Sequence, residues 1–372
     1  MKTGEAKRLA RYLALRTVVV AASLVVAVLL VIVVANLGGK VDEIVEYEAR
    51  FTVNQMFLSE NVRKGVENMC TQRCGSENST CIQLCKQEWV EEQVRLEIIK
   101  KGLDKPFLIR LFYYLRDALT LSLGRAMVLS SDKGSHRVWD IIAERLPPTI
   151  LLFTTANMLI FVIEILGGLT LSRKYGSLLD KVLVSLAPFS SLPGWFYGLF
   201  LIMIFSFGLR IFPSRGMVSP LPPEDTLLYA IDVLWHMALP TLSWLIAYAP
   251  IGIYYYRTYF LMFSTEEYVE YAKARGIPNR IIERRYILRP TLPPIITTLV
   301  LTIIGSWMGA IITESVFQWP GLGSVLAKAI QAPDPPVIIG IVTIYAYLLA
   351  VSVIALDLVY GIVDPRVRVG GE

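Results

Sequence analysis

The chain has 372 residues, 54% of them hydrophobic and only 18% charged, with a formal net charge of +5 and a mean hydropathy of +0.54. That composition is too apolar for an ordinary soluble domain, and a modest charge clustered beside apolar runs offers no nucleic-acid groove. His136 and His236 have no second ligand at metal spacing, and no Gly-x4-Gly-Lys-Ser/Thr phosphate loop occurs, so the sequence predicts neither a metal centre nor an ATPase in this chain.

In chain order, Lys2, Lys7, Arg8, Arg11 and Arg16 (residues 1–16) precede an apolar run over 17–37. The run is long for a signal-peptide core and Val33-Val-Ala35 is a poor cleavage site, so an uncleaved signal-anchor is expected. Residues 38–146 carry charges of both signs and are expected to form a mainly helical external domain. Its centre reads Cys70-x3-Cys74, six residues, then Cys81-x3-Cys85. A spacing of four puts each pair on one helix face, and Gly75-Ser-Glu-Asn-Ser79 makes the turn. The pattern predicts a helical hairpin with nested Cys70–Cys85 and Cys74–Cys81 disulfides; a four-thiolate zinc site is the competing reading. Asn78-Ser-Thr80 is a glycosylation sequon at the hairpin tip. Glu88, Glu91, Glu92 and Arg95 read as a solvated face, leaving the domain either a docking surface for a soluble receptor or a stabilising cap.

Residues 147–363 hold five further apolar runs, over 149–171, 182–209, 235–260, 292–316 and 337–363. Pro188 and Pro193 interrupt the third span and Pro240 and Pro250 the fourth, which favours helices packed around a path. The fold class is therefore all-α, with six transmembrane helices. Three polar residues within or beside the spans, Asn157, Glu164 and Glu314, are candidates to line that path. Glu164 could instead meet a partner subunit or a neighbouring helix, and Glu314 could simply start a turn. Trp195, Trp235 and Trp319 are expected at the membrane–water interfaces.

Residues 264–290 form a charged insert between two spans. Ser264 and Glu267 have capping-box spacing, Gly276 is placed for a left-handed helix end, and Asn279 can cap a second helix that Pro290 ends. The prediction is a rigid two-helix knob. Basic residues before the first span, at Arg173, Lys174 and Lys181, in the knob, and at Arg366 and Arg368 in the 364–372 tail all fall on one side if six spans alternate. That side, with both termini, is expected to be cytoplasmic and the membrane the cell membrane.

Glu270-Tyr271-Ala272, three residues and Gly276 resembles the Glu-Ala-Ala-x3-Gly coupling loop of ABC-importer membrane subunits. Leu288 fits the continuing pattern, Tyr286 stands where it has Ile, and Pro290 comes one residue late. Glu314-Ser-Val-Phe-Gln-Trp-Pro-Gly-Leu-Gly323, Asp364-Pro-Arg-Val-Arg368 and Ala143-Glu-Arg-Leu-Pro-Pro-Thr149 resemble the dipeptide/oligopeptide permease branch; residues 40–100 match nothing. The resemblance implies a non-enzymatic permease subunit of a binding-protein-dependent importer, for di- or oligopeptides or else oligosaccharides or metal chelates. It implies a second homologous permease, two cytoplasmic ATPases that bind ATP and Mg, and an external binding protein. Glu270, Tyr271, Ala272, Gly276, Arg280, Arg284 and Leu288 would be the coupling residues, with Ala272 facing the ATPase cleft. A secondary transporter or channel would also have six kinked spans but would not need the knob. A signalling receptor would need an output domain, for which the residues after Asp364 are too few.

Overall fold

The computed structural model describes residues 3–37, 40–75, 79–100, 107–332 and 334–363, and these are helical with no strand among them. The Asn78 sequon and the 364–372 tail lie outside the described residues. Among the described residues five helices are long and apolar enough to cross a membrane, or six if one bent pair is a single span. The chain falls into two compact units, one built on Ala21–Ile142 with Ala329–Tyr347 and the other on Ala143–Lys328 with the described residues before Ala21 and after Tyr347.

α1 (Thr3–Leu37), which belongs to the first unit from Ala21 onward, carries the apolar stretch Ala14–Val33. Three helices follow: α2 (Lys40–Leu58), α3 (Glu60–Cys74) and α4 (Ser79–Lys100). Ala49 and Val53 of α2 bury against Val94 of α4. The α3–α4 hairpin closes over Val66, and the Phe57 and Trp89 rings meet at 6.1 Å. Gly75 takes φ +79° at the turn and donates its N–H to the Thr71 carbonyl at 2.9 Å. Cys70 is joined to Cys85 and Cys74 to Cys81. With every cysteine so bonded, no thiolate set remains for zinc.

The amphipathic α5 (Phe107–Leu119) packs Leu111, Tyr114, Leu115 and Ala118 against Leu24, Val28 and Ile32 of α1. Beyond it, Met127, Val128 and Leu129 donate backbone N–H groups to the wholly buried Asp334 carboxylate at 3.1, 2.8 and 2.8 Å. Residues of α1 from Ala21 onward and the first turns of the last helix belong to this same unit, tied in by α5 and Asp334.

The second unit starts from α6 (Val138–Arg173), continuous through Pro147 and Pro148. α7 (Leu178–Leu186) and a 3₁₀ turn, Ala187–Ser191, lead to α8 (Gly194–Leu201) and its π-helical continuation Ile202–Gly208. The two halves meet at 100°, so the third run is not one straight span. Pro193 is the cause: it holds Leu192 extended, at φ −89° and ψ 134°, and prevents α-helix there. The fourth run behaves oppositely. α9 (Thr226–Ser264) is continuous through Pro240 and Pro250, longer than the predicted 235–260.

α9 is laid tightly on α6 where Gly167 and Gly168 stand. A Cβ on Gly168 would come within 2.6 Å of the Tyr256 Cβ and 2.8 Å of the Arg257 backbone nitrogen. Small residues are what permit so close a helix approach. Asp180, capped into α7 by Ser177 and Gly176, forms a buried ion pair with Arg257, whose guanidinium lies 5.0 Å from the Tyr175 ring.

α10 (Glu267–Ala274) and α11 (Asn279–Ile281) follow, then a π-helical turn, Ile282–Leu288, that runs directly into α12 (Arg289–Ser306). The predicted fifth span to residue 316 is cut short. Gly309 at φ +68° and an extended Ala310 separate α12 from the short α13 (Ile311–Val316). α14 (Leu322–Gln331) and α15 (Pro335–Val363) complete the described chain.

Candidate functional site

The knob after α9 is assembled differently at its edges than its sequence suggests. Ser264 is the last residue of α9, and its hydroxyl donates to the Leu261 carbonyl at 2.7 Å. α10 starts at Glu267 after Glu266, without a side-chain cap, so the Ser264/Glu267 capping box is not formed. Asn279 is likewise the first residue of α11, with Pro278 in the capping position. Pro290 does not terminate a helix: the backbone stays right-handed helical through Leu288 and Arg289, and the proline stands where the π-helical turn passes into α12.

The centre of the knob is as expected. Gly276 has φ +73°, its N–H donates to the Lys273 carbonyl at 2.9 Å, and the Ile277 N–H donates to Ala272 at 3.2 Å. This pair of bonds is the Schellman helix end. It turns the chain so that α10 folds back on the 282–288 turn. Val269, Ala272 and Ile282 are then buried together, with Ile277, Tyr286 and Ile287 against them. The knob thus has its own small apolar core. Its exposed surface includes Glu270, Tyr271, Arg275, Arg280, Ile281 and Arg284. The Arg275 guanidinium lies 4.8 Å from the Tyr271 ring.

Two of the expected coupling residues pack into the structure. Ala272 is only 3% exposed and faces Val269 and Ile282 inside the knob, so it cannot present its side chain to an outside cleft. Its small size is demanded by the Schellman turn, which brings Ile277 over it. Leu288 packs with Ile287 against Phe161, Tyr256, Phe260 and Ile295 and fastens the knob to the helices beneath. A further tie, missed in the sequence, is the ion pair between Arg173 at the end of α6 and Glu283. Opposite charges 110 residues apart carry no periodic signal. The Val269/Ala272 pair at helical i,i+3 spacing was readable.

The candidate path residues separate into two cases. Glu314 is wholly buried and lines nothing open. Thr149 donates to one of its carboxylate oxygens at 2.9 Å and the Ser324 N–H to the other at 2.8 Å, while the Leu322 N–H donates to the Thr149 hydroxyl at 2.8 Å. Glycines make room: a Cβ on Gly309 would stand 2.8 Å from Glu314, and one on Gly323 would stand 2.8 Å from the Ile311 Cα. Trp319, expected at an interface, is completely buried and donates its indole N–H to the Pro148 carbonyl at 2.9 Å. The stretch 314–323 is therefore a staple between α6 and the 309–324 loop. Glu164 is half-buried in α6 beside Gly252, and Asn157 is half-buried about two turns earlier on the same helix. His236 is buried, with Nδ1 2.8 Å from the Asp232 carbonyl, in a structural role. Among the described residues no group of three or more His, Cys, Asp or Glu side chains could hold a metal.

Long apolar helices around a compact, surface-exposed knob define a multi-pass membrane component whose knob is its folded polar feature at a helix junction. The chain belongs to the family of binding-protein-dependent transport system inner membrane components, which matches residues 164–369, knob included. The dipeptide transport system permease protein DppB of Escherichia coli K12 is 30% identical over 287 residues, 72% of this chain and 83% of that protein. DppB of Bacillus subtilis 168 is 28% identical over 287 residues, 75% and 87% of the two chains. Among solved structures, an inward-facing form of the MetNI methionine ABC transporter aligns with a TM-score of 0.45 and 17% identity, covering 64% of this chain and 99% of that one.

Proposed function

We propose that this chain is one of two membrane permease subunits of an ATP-driven importer for di- or oligopeptides. A homologous second permease, two cytoplasmic ATPases and an external binding protein complete the assembly, with both termini of this chain and its knob in the cytoplasm. The observation that carries the proposal is the knob itself. A loop with its own apolar core, a Schellman turn and anchors at Arg173–Glu283 and Leu288 moves as a rigid piece, which a force-transmitting element needs. Tyr271, Ile281 and the exposed Arg280 and Arg284 would be gripped by the ATPase. ATP-driven closure of the ATPases would carry the knob with it, and α9 and α12, continuous with the knob's two ends, would turn the path from inward- to outward-facing. ATP and Mg belong to the ATPases; the chain performs no bond chemistry. Peptide as the cargo is supported by the DppB relatives.

The test is reconstitution in liposomes with the partner permease, ATPases and binding protein, measuring ATP hydrolysis and uptake of a labelled dipeptide. Binding-protein-stimulated hydrolysis and peptide uptake are expected, and both should be lost when Tyr271 and Ile281 are replaced by aspartate. Uptake that persists without the ATPases would refute the proposal. Uptake of an oligosaccharide or metal chelate in place of peptide would keep the importer and replace its cargo.

A further inference from the structure

The segment after α5 runs along the start of α15 at three levels. The Tyr347 hydroxyl donates to the Leu119 carbonyl at 2.7 Å, a Cβ on Gly340 would stand 3.6 Å from Leu123, and Asp334 holds the N–H groups of residues 127–129. At 1.5 Å per residue, Gly340 lies about 9 Å and Tyr347 about 20 Å along the helix from Asp334. The apolar stretch of α15 that could span a membrane is Pro335–Leu356, so the end of α5 sits beside its middle. α1 gives the same depth independently: Leu24, Val28 and Ile32, which cluster with α5, lie inside its apolar stretch Ala14–Val33.

We infer that α5 and residues 120–129 form a re-entrant element that dips into the bilayer beside α1 and α15 and returns to the side it came from. Its backbone is prepared for that depth. At the turn, where Leu121 takes φ +55°, the N–H groups of Thr120, Leu121 and Ser122 donate to the carbonyls of Arg116, Ala118 and Asp117 at 2.8, 3.1 and 2.8 Å. Non-helical backbone inside a membrane must be satisfied in this way. Phe112, 71% exposed, and Ile109 present an apolar face suited to acyl chains. The tip is different. Arg116 pairs with Asp117 at 2.9 Å, and both side chains are about half exposed or more. A charged pair at that depth faces water rather than lipid. Only in calling that water the translocation path does the inference rest on the transport reading above; the re-entrant course does not depend on it.

The four native cysteines are all consumed by disulfides, so single introduced thiols can be labelled without background. Thr120→Cys at the tip, Phe112→Cys on the apolar face and Asn61→Cys on α3 as reference are treated in intact membranes, from both sides, with a small charged methanethiosulfonate and with a bulky polyethylene-glycol maleimide. Asn61→Cys should react with both reagents. Thr120→Cys should react with the small reagent but at least about tenfold more slowly than Asn61→Cys with the large one. Phe112→Cys should react with neither until detergent is added. Equal large-reagent rates at Thr120→Cys and Asn61→Cys, or fast labelling of Phe112→Cys, would overturn the re-entrant course. A Thr120→Cys silent to the small reagent would overturn the water-facing tip. Labelling needs no ATPase, receptor or substrate, so a failed transport reading would be told apart from a failed inference.

Discussion

Replacing Gly276 tests the knob through a single backbone angle. Nothing lies within 4 Å of a Cβ built there, so an added side chain meets no clash and the cost is purely conformational. Holding an L residue in the left-handed region costs about 1–2 kcal/mol, and a β-branched one stands at the upper end. The chain can escape only by opening the turn. That forfeits the Gly276-to-Lys273 and Ile277-to-Ala272 hydrogen bonds, each contributing about 1 kcal/mol. The penalty for Gly276→Val is thus bounded at about 2 kcal/mol, roughly a thirtyfold rise in the opened population at tenfold per 1.4 kcal/mol. Gly276→Asn, a residue that tolerates positive φ, should cost a few tenths. Hydrogen exchange of the peptide over residues 269–288, with binding-protein-stimulated ATP hydrolysis beside it, reads the effect. Exchange should accelerate and stimulation fall for Gly276→Val, with Gly276→Asn near the parent. If Val and Asn behave alike, the left-handed turn is not what holds the knob, and the reasoning fails.

Ala272→Leu should overfill the knob's core and cost about 1–3 kcal/mol; faster exchange at Val269 and Ile282 would show it, and an unchanged knob would mean the side chain has room. Glu314→Leu strands the Ser324 N–H, at about 1–3 kcal/mol, while the Thr149 hydroxyl keeps the Arg145 carbonyl as an acceptor. A clear fall in melting temperature in lipid nanodiscs is expected, smaller for Glu314→Gln, and equal melting of all three would deny the staple. Gly168→Leu should lower stability and yield by driving α6 from α9, whereas Gly65→Ala, with open space around it, should not. Without reduction no thiol should alkylate, and non-reduced peptides should join Cys70 to Cys85 and Cys74 to Cys81. Replacing all four cysteines by serine should loosen the α3–α4 hairpin by about 2–3 kcal/mol per bridge and leave the spans inserted.

The sequence by itself determined the helical membrane class, the two disulfides and the left-handed turn at Gly276. Each is a local statement: hydropathy over about twenty residues, a spacing of four between cysteines, a glycine followed closely by proline. Local signals failed wherever two segments compete for one residue. Ser264 looks like a cap, but α9 continues through it because its apolar face is buried to Phe260. Pro193 breaks a span, with Leu192 before it held extended, while α9 stays helical through Pro240 and Pro250, a difference that the three prolines do not show as letters in the sequence. Glu314 and Trp319 look like a path residue and an interfacial one. Only the fold brings Thr149, 165 residues away, against the glutamate and the Pro148 carbonyl against the indole. The small side chain of Ala272 is legible in the sequence but its inward orientation is not, because its partner Ile282 is supplied by the chain beyond the turn. The re-entrant course of residues 107–129 is invisible in hydropathy, since a short amphipathic helix carries the same pattern beside a membrane as within one. Its depth is decided by Leu24, Val28, Ala346 and Tyr347, contacts that exist only once the helices are assembled.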